Sequence, residues 1–206
     1  MLVLIGLLYT TFEYRGAIVD AVVGYKDSQI VSDEEFRDLV AINGRIQNRL
    51  DTLRNVTGSP RVVVRRFHNG KQDLTTVPFE KVSDVYSSHS EDFELLIDSD
   101  RTLPLSTITF SLKKMWGVNA KDPVCFAQSA NDFPSGALRR YFAQHDIVYT
   151  AVCPISNIAR YPLGFIAVNY REIPTPEQEQ RDLARIARAA SDVAGYIDFI
   201  SEVKEQ

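Results

Sequence analysis

The sequence predicts an α/β (α+β) domain in which an antiparallel sheet is flanked by long amino- and carboxy-terminal helices and preceded by a membrane-anchor segment. Three observations predict it. Two long stretches towards the ends carry apolar residues at helical spacing, the stretches between them are β-rich runs broken by turn residues, and the first twelve residues hold an uncharged apolar run. The 206 residues are 45% hydrophobic and 24% charged, the balance of one domain with a core, which excludes disordered, collagen-like and coiled-coil-only chains.

Leu2 to Phe12 reads LVLIGLLYTTF and ends at Glu13, Tyr14, Arg15 and Gly16. A spanning helix needs roughly 20 apolar residues, and a cleaved secretory signal carries basic residues before its apolar run and a small-residue cleavage site after it. The favoured reading is the carboxy-terminal end of a transmembrane helix, with Leu2, Leu4, Ile5, Leu7, Leu8 and Phe12 as the anchor and Tyr9, Tyr14 and Arg15 at the interface. The competing reading is a buried amino-terminal helix or strand. On the first, residues 1–24 are anchor and 25–206 a soluble domain.

From Ser32 the pattern becomes helical. Ser32 or Asp33 caps the helix, Glu34 and Glu35 complement its dipole, and Gly58 with Pro60 closes it. Phe36, Leu39, Asn43, Ile46, Leu50 and Leu53 form a heptad seam with one polar member, which reads either as a dimer seam with Asn43 fixing register or as packing on the chain's own last helix. Arg61 to Phe67 is a strand, followed at His68-Asn69-Gly70 by a hairpin turn. Pro78 to Ser87 is a second strand, Leu103 to Trp116 a helix ended by Gly117, and Pro123 to Ala127 a short strand. Asp132 to Gln144 is a helix capped by Asp132 or Ser135. Ile147 to Ile155 and Leu163 to Tyr170 are strands joined by SNIARYP. Pro174 and Pro176 then introduce a helix whose Leu183, Ile186, Ala190, Val193, Ile197 and Ile200 recur at helical spacing.

Charge and motif content narrow the function. Twenty-seven acidic against 23 basic residues give a net charge of −4 without long runs of either sign, which argues against a general grip on nucleic acid. No catalytic residue, metal site or cofactor is expected. His68, His89 and His145 read as a turn residue, a solvated loop residue and a frayed helix end, and neither Gly-x-Ser-x-Gly, His-Glu-x-x-His nor a phosphate loop occurs. Arg65 and Arg66, beside Arg61, and Arg139 and Arg140 are candidates to receive an acidic partner or lipid headgroups; the competing reading is solvated faces or strand-edge charges. Cys125 and Cys153 lie on two predicted strands and can be bridged only if their Cα atoms come within roughly 7 Å; otherwise each is a small buried hydrophobe.

The order of elements, and above all Tyr149 to Ile197 with its strand, turn, Gly-containing strand, acidic helix start and Ala-rich helix, resembles the end of a GAF/PAS-like sensor domain. The resemblance implies a small-ligand pocket between the sheet and the Leu103 to Trp116 segment, and helices that dimerise. Cyclic-nucleotide-binding members carry an Asn-Lys…Phe…Asp-Glu signature that is not found in this chain. Bilin-binding members attach chromophore to a cysteine next to a histidine, and neither cysteine here has that neighbour.

FEYRG at Phe12 to Gly16, the pair Cys153-Pro154, and Gly164 to Ala194 are together similar to the holins of T-even-type tailed phages. That resemblance implies a single-pass protein of the host inner membrane with its carboxy-terminal domain in the periplasm. It would oligomerise to form lesions that release endolysin, under control of an antiholin-type protein. The chain departs from this pattern in lacking the cytoplasmic segment and the start of the membrane helix. The family's second cysteine falls near Ala187, leaving Cys125 as the partner for Cys153. The sequence thus predicts a non-enzymatic, membrane-tethered, self-associating lysis protein, with a GAF-like sensory or interaction domain as the alternative.

Overall fold

The computed structural model describes residues 33–69, 80–93, 102–117 and 123–205. The helix α1, Asp33–Thr57, is followed by β1 (Arg61–Asn69), β2 (Glu80–His89) and the three-residue β3 (Thr102–Pro104). A 3-10 turn at Leu105–Ile108 leads into α2 (Thr109–Trp116). Then come β4 (Phe126–Ser129), a 3-10 turn at Ala130–Asp132, α3 (Gly136–Gln144), β5 (Tyr149–Ser156), β6 (Pro162–Tyr170) and α4 (Pro176–Glu205). Contacts divide the chain after Ala41, so the start of α1 forms one unit and everything from Ile42 another.

In the larger unit the six strands form one sheet of order β3-β2-β1-β6-β5-β4, and every pairing is antiparallel. The period-two alternation of strand side chains sends Val62 and Val64 to one face and Val63 to the other, and all three are fully buried because both faces are covered. On the first face lie the later turns of α1, with Ile46, Leu50 and Leu53, and α4, with Ile186, Ala189, Val193 and Ile197, all buried. Each of these isoleucine, leucine and valine side chains contributes about 1.5–3 kcal/mol by leaving water. Arg49 of α1 pairs with Asp192 of α4 at 2.7 Å, and Gln47 donates to the Ser87 carbonyl at 3.1 Å, which ties α1 to β2. On the second face Val63, Val82, Val152, Phe165 and Ala167 pack against Ile108 and Met115. A neighbouring cluster of Phe133, Leu138, Phe142 and Ile147 builds the base of α3.

Local signals explain the boundaries. Gly58 ends α1 at φ +64°, a conformation open to glycine at little cost. Ser135 caps α3 by accepting from the Leu138 N–H at 3.3 Å, and Thr175 caps α4 by accepting from Gln178 at 3.2 Å.

The expected order of elements differs from the observed one in three places. His68 and Asn69 are not a turn but the end of β1, in register with Lys81 and Glu80. The helix expected from Leu103 begins only at Thr109, because Leu103 and Pro104 belong to an edge strand paired with Lys81 and Val82; Pro, which has no N–H to donate, sits there without cost. Asp132 lies in a 3-10 turn ahead of α3 rather than at its cap. The anchor residues Leu2 to Phe12, and the division at residue 24, lie outside the described residues. No helix among the described residues is long and apolar enough to cross a membrane.

Candidate functional site

The face of the sheet beneath α2 and α3 holds a buried cluster of charge. Alternation along β1 puts Arg61 and Arg65 on the same face as Val63, and register places Asp84 opposite Arg65. Asp84 Oδ2 accepts from Arg61 Nη2 and its Oδ1 from Arg65 Nε, both at 2.6 Å. Both arginines are 5% exposed, so the trio carries one net positive charge out of contact with bulk water. Ring faces meet that charge: the Arg61 guanidinium lies 5.3 Å from the Phe93 centroid and that of Arg65 5.9 Å from Phe165. Arg61 also donates to the Tyr141 hydroxyl of α3. Phe93 in turn stacks on His145, 5.0 Å and 10° between rings, so His145 is a buried packing residue and not a frayed helix end.

Beside this cluster Thr150 donates to Asn169 Oδ1 at 3.0 Å. A cavity of about 20 Å³ is left between Arg65, Ser111, Thr150, Asn169 and the surrounding aromatic side chains, enough for about one water. The centre of this layer is therefore filled by the protein's own side chains.

A larger space opens at the edge of the same layer. A groove of about 680 Å³ runs where the Leu105–Trp116 segment meets β1, β2 and the start of β6. Phe67, Leu105, Leu112, Trp116, Tyr161 and Leu163 give it apolar walls, and Arg66, His68, Lys81 and Lys113 also line it. Trp116 meets Phe67 edge-on at 5.7 Å, while its Nε1 is buried with no acceptor among the described residues. Tyr161 is 69% exposed. It is held at the foot of the β5–β6 hairpin by its N–H, which donates to Asn157 Oδ1 at 2.7 Å. The volume is that of a small-molecule site, and the mixture of apolar walls with a few polar groups is how such sites are built.

On the opposite face, between sheet and α4, the polar groups are structural. Asp182, 1% exposed, accepts from the Tyr170 hydroxyl at 3.2 Å and from Arg185 at 3.0 Å. Burial, then the nearby Asp182 charge, raises the Tyr170 phenol far above its usual range. Burial and a hydrogen bond to Glu179 push Tyr149 up to about 12. Neither phenol ionises at physiological pH.

The structure separates the residues that the sequence grouped. Arg61 and Arg65 are engaged with Asp84 inside the domain, which corrects the expectation of an exposed basic patch at Arg65. Arg66 lines the groove, and Arg139 and Arg140 are exposed on α3, Arg139 donating to the Phe133 carbonyl at 2.6 Å. Of the α1 stripe, Ile46, Leu50 and Leu53 are buried within their own domain, and Asn43 accepts from the Tyr86 hydroxyl. Phe36 is 61% exposed and Leu39 half-buried. Cys125 and Cys153 are joined by a disulfide between β5 and the residue preceding β4, with Cα atoms 4.2 Å apart. Among the described residues no group of three or more metal-ligating side chains comes together. Sequence reasoning singled out none of the groove's aromatic residues; Leu112 and Trp116 four apart on one helix, with Lys113 between them, were the available signal.

No family model matches the chain, and no curated protein does. Solved structures do resemble it. The GAF domain region of a putative membrane protein from Geobacter sulfurreducens PCA is 14% identical and superposes with a TM-score of 0.57, covering 81% of this chain and 99% of that one. The phycoerythrobilin-bound GAF domain of a cyanobacterial phytochrome is 14% identical with a TM-score of 0.57, over 85% of this chain and all of that one, 100%. A domain of a putative two-component sensor histidine kinase from Sinorhizobium meliloti 1021 is 11% identical with a TM-score of 0.55, over 81% of this chain and 99% of that one. The order of elements, the six-stranded antiparallel sheet and these superpositions together give the chain a GAF-like domain fold.

Proposed function

We propose that this chain is a GAF-like sensory domain that binds a small ligand in the groove between the Leu105–Trp116 segment and the sheet. The observation that carries the reading is the groove itself, about 680 Å³ with aromatic walls, on a fold whose similar structures include a pigment-binding domain and a domain of a sensor kinase. A bilin held through a thioether is not the ligand, since Cys125 and Cys153 are consumed in their disulfide. The later turns of α1 and α4, which rest on the face away from the groove, are the elements through which a change in the sheet would reach a partner. Self-association through the exposed Phe36 and Val40 of α1 belongs to the same proposal.

The similarity to T-even-type holins rests on three stretches. Cys153-Pro154 and Gly164 to Ala194 fall in β5, β6 and α4 of the GAF-like fold, and Phe12 to Gly16 lies outside the described residues. Nothing in the comparisons supports lysis, a phage origin or an antiholin-type partner, and the ligand-binding reading takes precedence.

The test is thermal stability of the purified full chain against a panel of small metabolites, beside a Thr109→Trp variant that fills the groove from an exposed helical position. A ligand that raises the Tm of the parent and not of the variant is expected. Equal shifts in both proteins would remove the groove from the reading.

A further inference from the structure

The lining of the groove specifies the chemistry of its occupant. Arg66, Lys81 and Lys113 line it and, among the described residues, no acidic side chain does, in a chain whose net charge is −4. A local surplus of cations against the sign of the whole molecule favours an anion, the more so beside low-dielectric walls. The walls are aromatic and aliphatic: Phe67, Leu112 and Trp116 offer an edge-to-face pair and a branched side chain. They take up the apolar body of a ligand and gain by removing it from water.

We propose that the groove binds an amphipathic anion, its apolar body against Phe67, Leu112 and Trp116 and its carboxylate, sulfonate or phosphate drawn by Lys113 and its basic neighbours. The proposal rests on the ligand-binding reading above and adds the ligand's class. A free amphiphile and a lipid headgroup share this chemistry and are separated by the test.

Trp116 is the chain's single tryptophan and lines the groove, so it is the one indole donor for a bound probe, and the Lys113 variants report whether that probe sits in the groove. The full chain is titrated with 8-anilinonaphthalene-1-sulfonate and with its uncharged relative N-phenyl-1-naphthylamine, reading energy transfer from Trp116 to each. The sulfonate is expected to bind at least tenfold more tightly than the neutral probe. Lys113 is exposed on α2, so Lys113→Glu should fold normally. It should weaken the sulfonate tenfold and leave the neutral probe unchanged, with Lys113→Gln intermediate. Displacement of the sulfonate by dodecanoate assigns a free amphiphile, and displacement by phosphatidylglycerol vesicles but not by phosphatidylcholine vesicles or dodecanoate assigns a headgroup. Equal affinity for the two probes, or a Lys113→Glu variant that binds both as the parent does, overturns the anionic class and leaves ligand binding standing. Absence of energy transfer to either probe overturns both.

Discussion

Gly164 of β6 lies so close to Arg65 of β1 that a β-carbon on it would come within 1.9 Å of the Arg65 carbonyl oxygen. The two strands pair there, with Gly164 opposite Arg66, directly beside the arginine that holds Asp84. An atom of backbone cannot rotate away as a side chain does. Gly164→Ala therefore forces the strands apart, and we expect a loss of about 3 kcal/mol, the upper end of the usual overpacking cost. Urea unfolding followed by circular dichroism reads it, and a loss below about 1 kcal/mol would show that the strands adjust freely.

Asp84 is the carboxylate shared by two arginines buried to the same degree. Asp84→Asn keeps the shape and removes the charge, leaving two guanidinium groups uncompensated in the interior, and should cost about 3–5 kcal/mol. Replacing all three groups together, Arg61→Met and Arg65→Met with Asp84→Leu, should recover most of that loss, because an apolar cluster carries no desolvation penalty. A triple variant less stable than Asp84→Asn would refute this account.

The disulfide closes a loop of 28 residues across β4 and β5. By loop-closure entropy such a link stabilises by about 3.6 kcal/mol. Reduction with a thiol reagent, or Cys125→Ser, should lower the urea midpoint accordingly. Cys153 is fully buried against α4, so Cys153→Ser should cost more than Cys125→Ser, whose site is half-buried.

Asp92 pairs with Arg171 at the surface. Hydrogen bonds from Arg171 and Ser90 hold its carboxyl down to about 2 against an ordinary 3.8. A depressed folded value means that the pair's contribution is complete above the unfolded value and disappears as pH falls through the folded one. Parent and Asp92→Asn should therefore differ in stability at pH 5 and converge between pH 4 and pH 2. The difference should shrink in high salt, since the site is exposed. A difference that persists at pH 2 would assign the effect to packing.

Some of this architecture is local and can be read directly from the residues. Ile46, Leu50 and Leu53 in α1, and Ile186, Val193 and Ile197 in α4, recur at a period only a helix satisfies. Val62 to Val64, Ala151 to Cys153 and Phe165 to Val168 are continuous apolar runs in β-rich stretches bounded by turn residues, the pattern of strands covered on both faces. Even the spacing of Arg61 and Arg65, an even number of residues apart on one strand, already places them on the same side of a sheet. Three residues at β3 are too few to show a period, which is why Leu103 and Pro104 read as the start of a helix.

What residue spacing left open was identity of partners across the sheet. Asp84 reaches Arg61 and Arg65 only because β2 pairs with β1 in the observed register, and a slip of one residue would have turned it to the other face. That register made two arginines structural that the sequence offered as a docking surface. It also left Arg66, Phe67 and Lys81, together with Leu112, Lys113 and Trp116 from α2 and Tyr161 from the β5–β6 hairpin, around one groove. Local periodicity determines which face of an element is apolar, but a site drawn from four separated segments exists only once the long-range pairings of the sheet have brought them together.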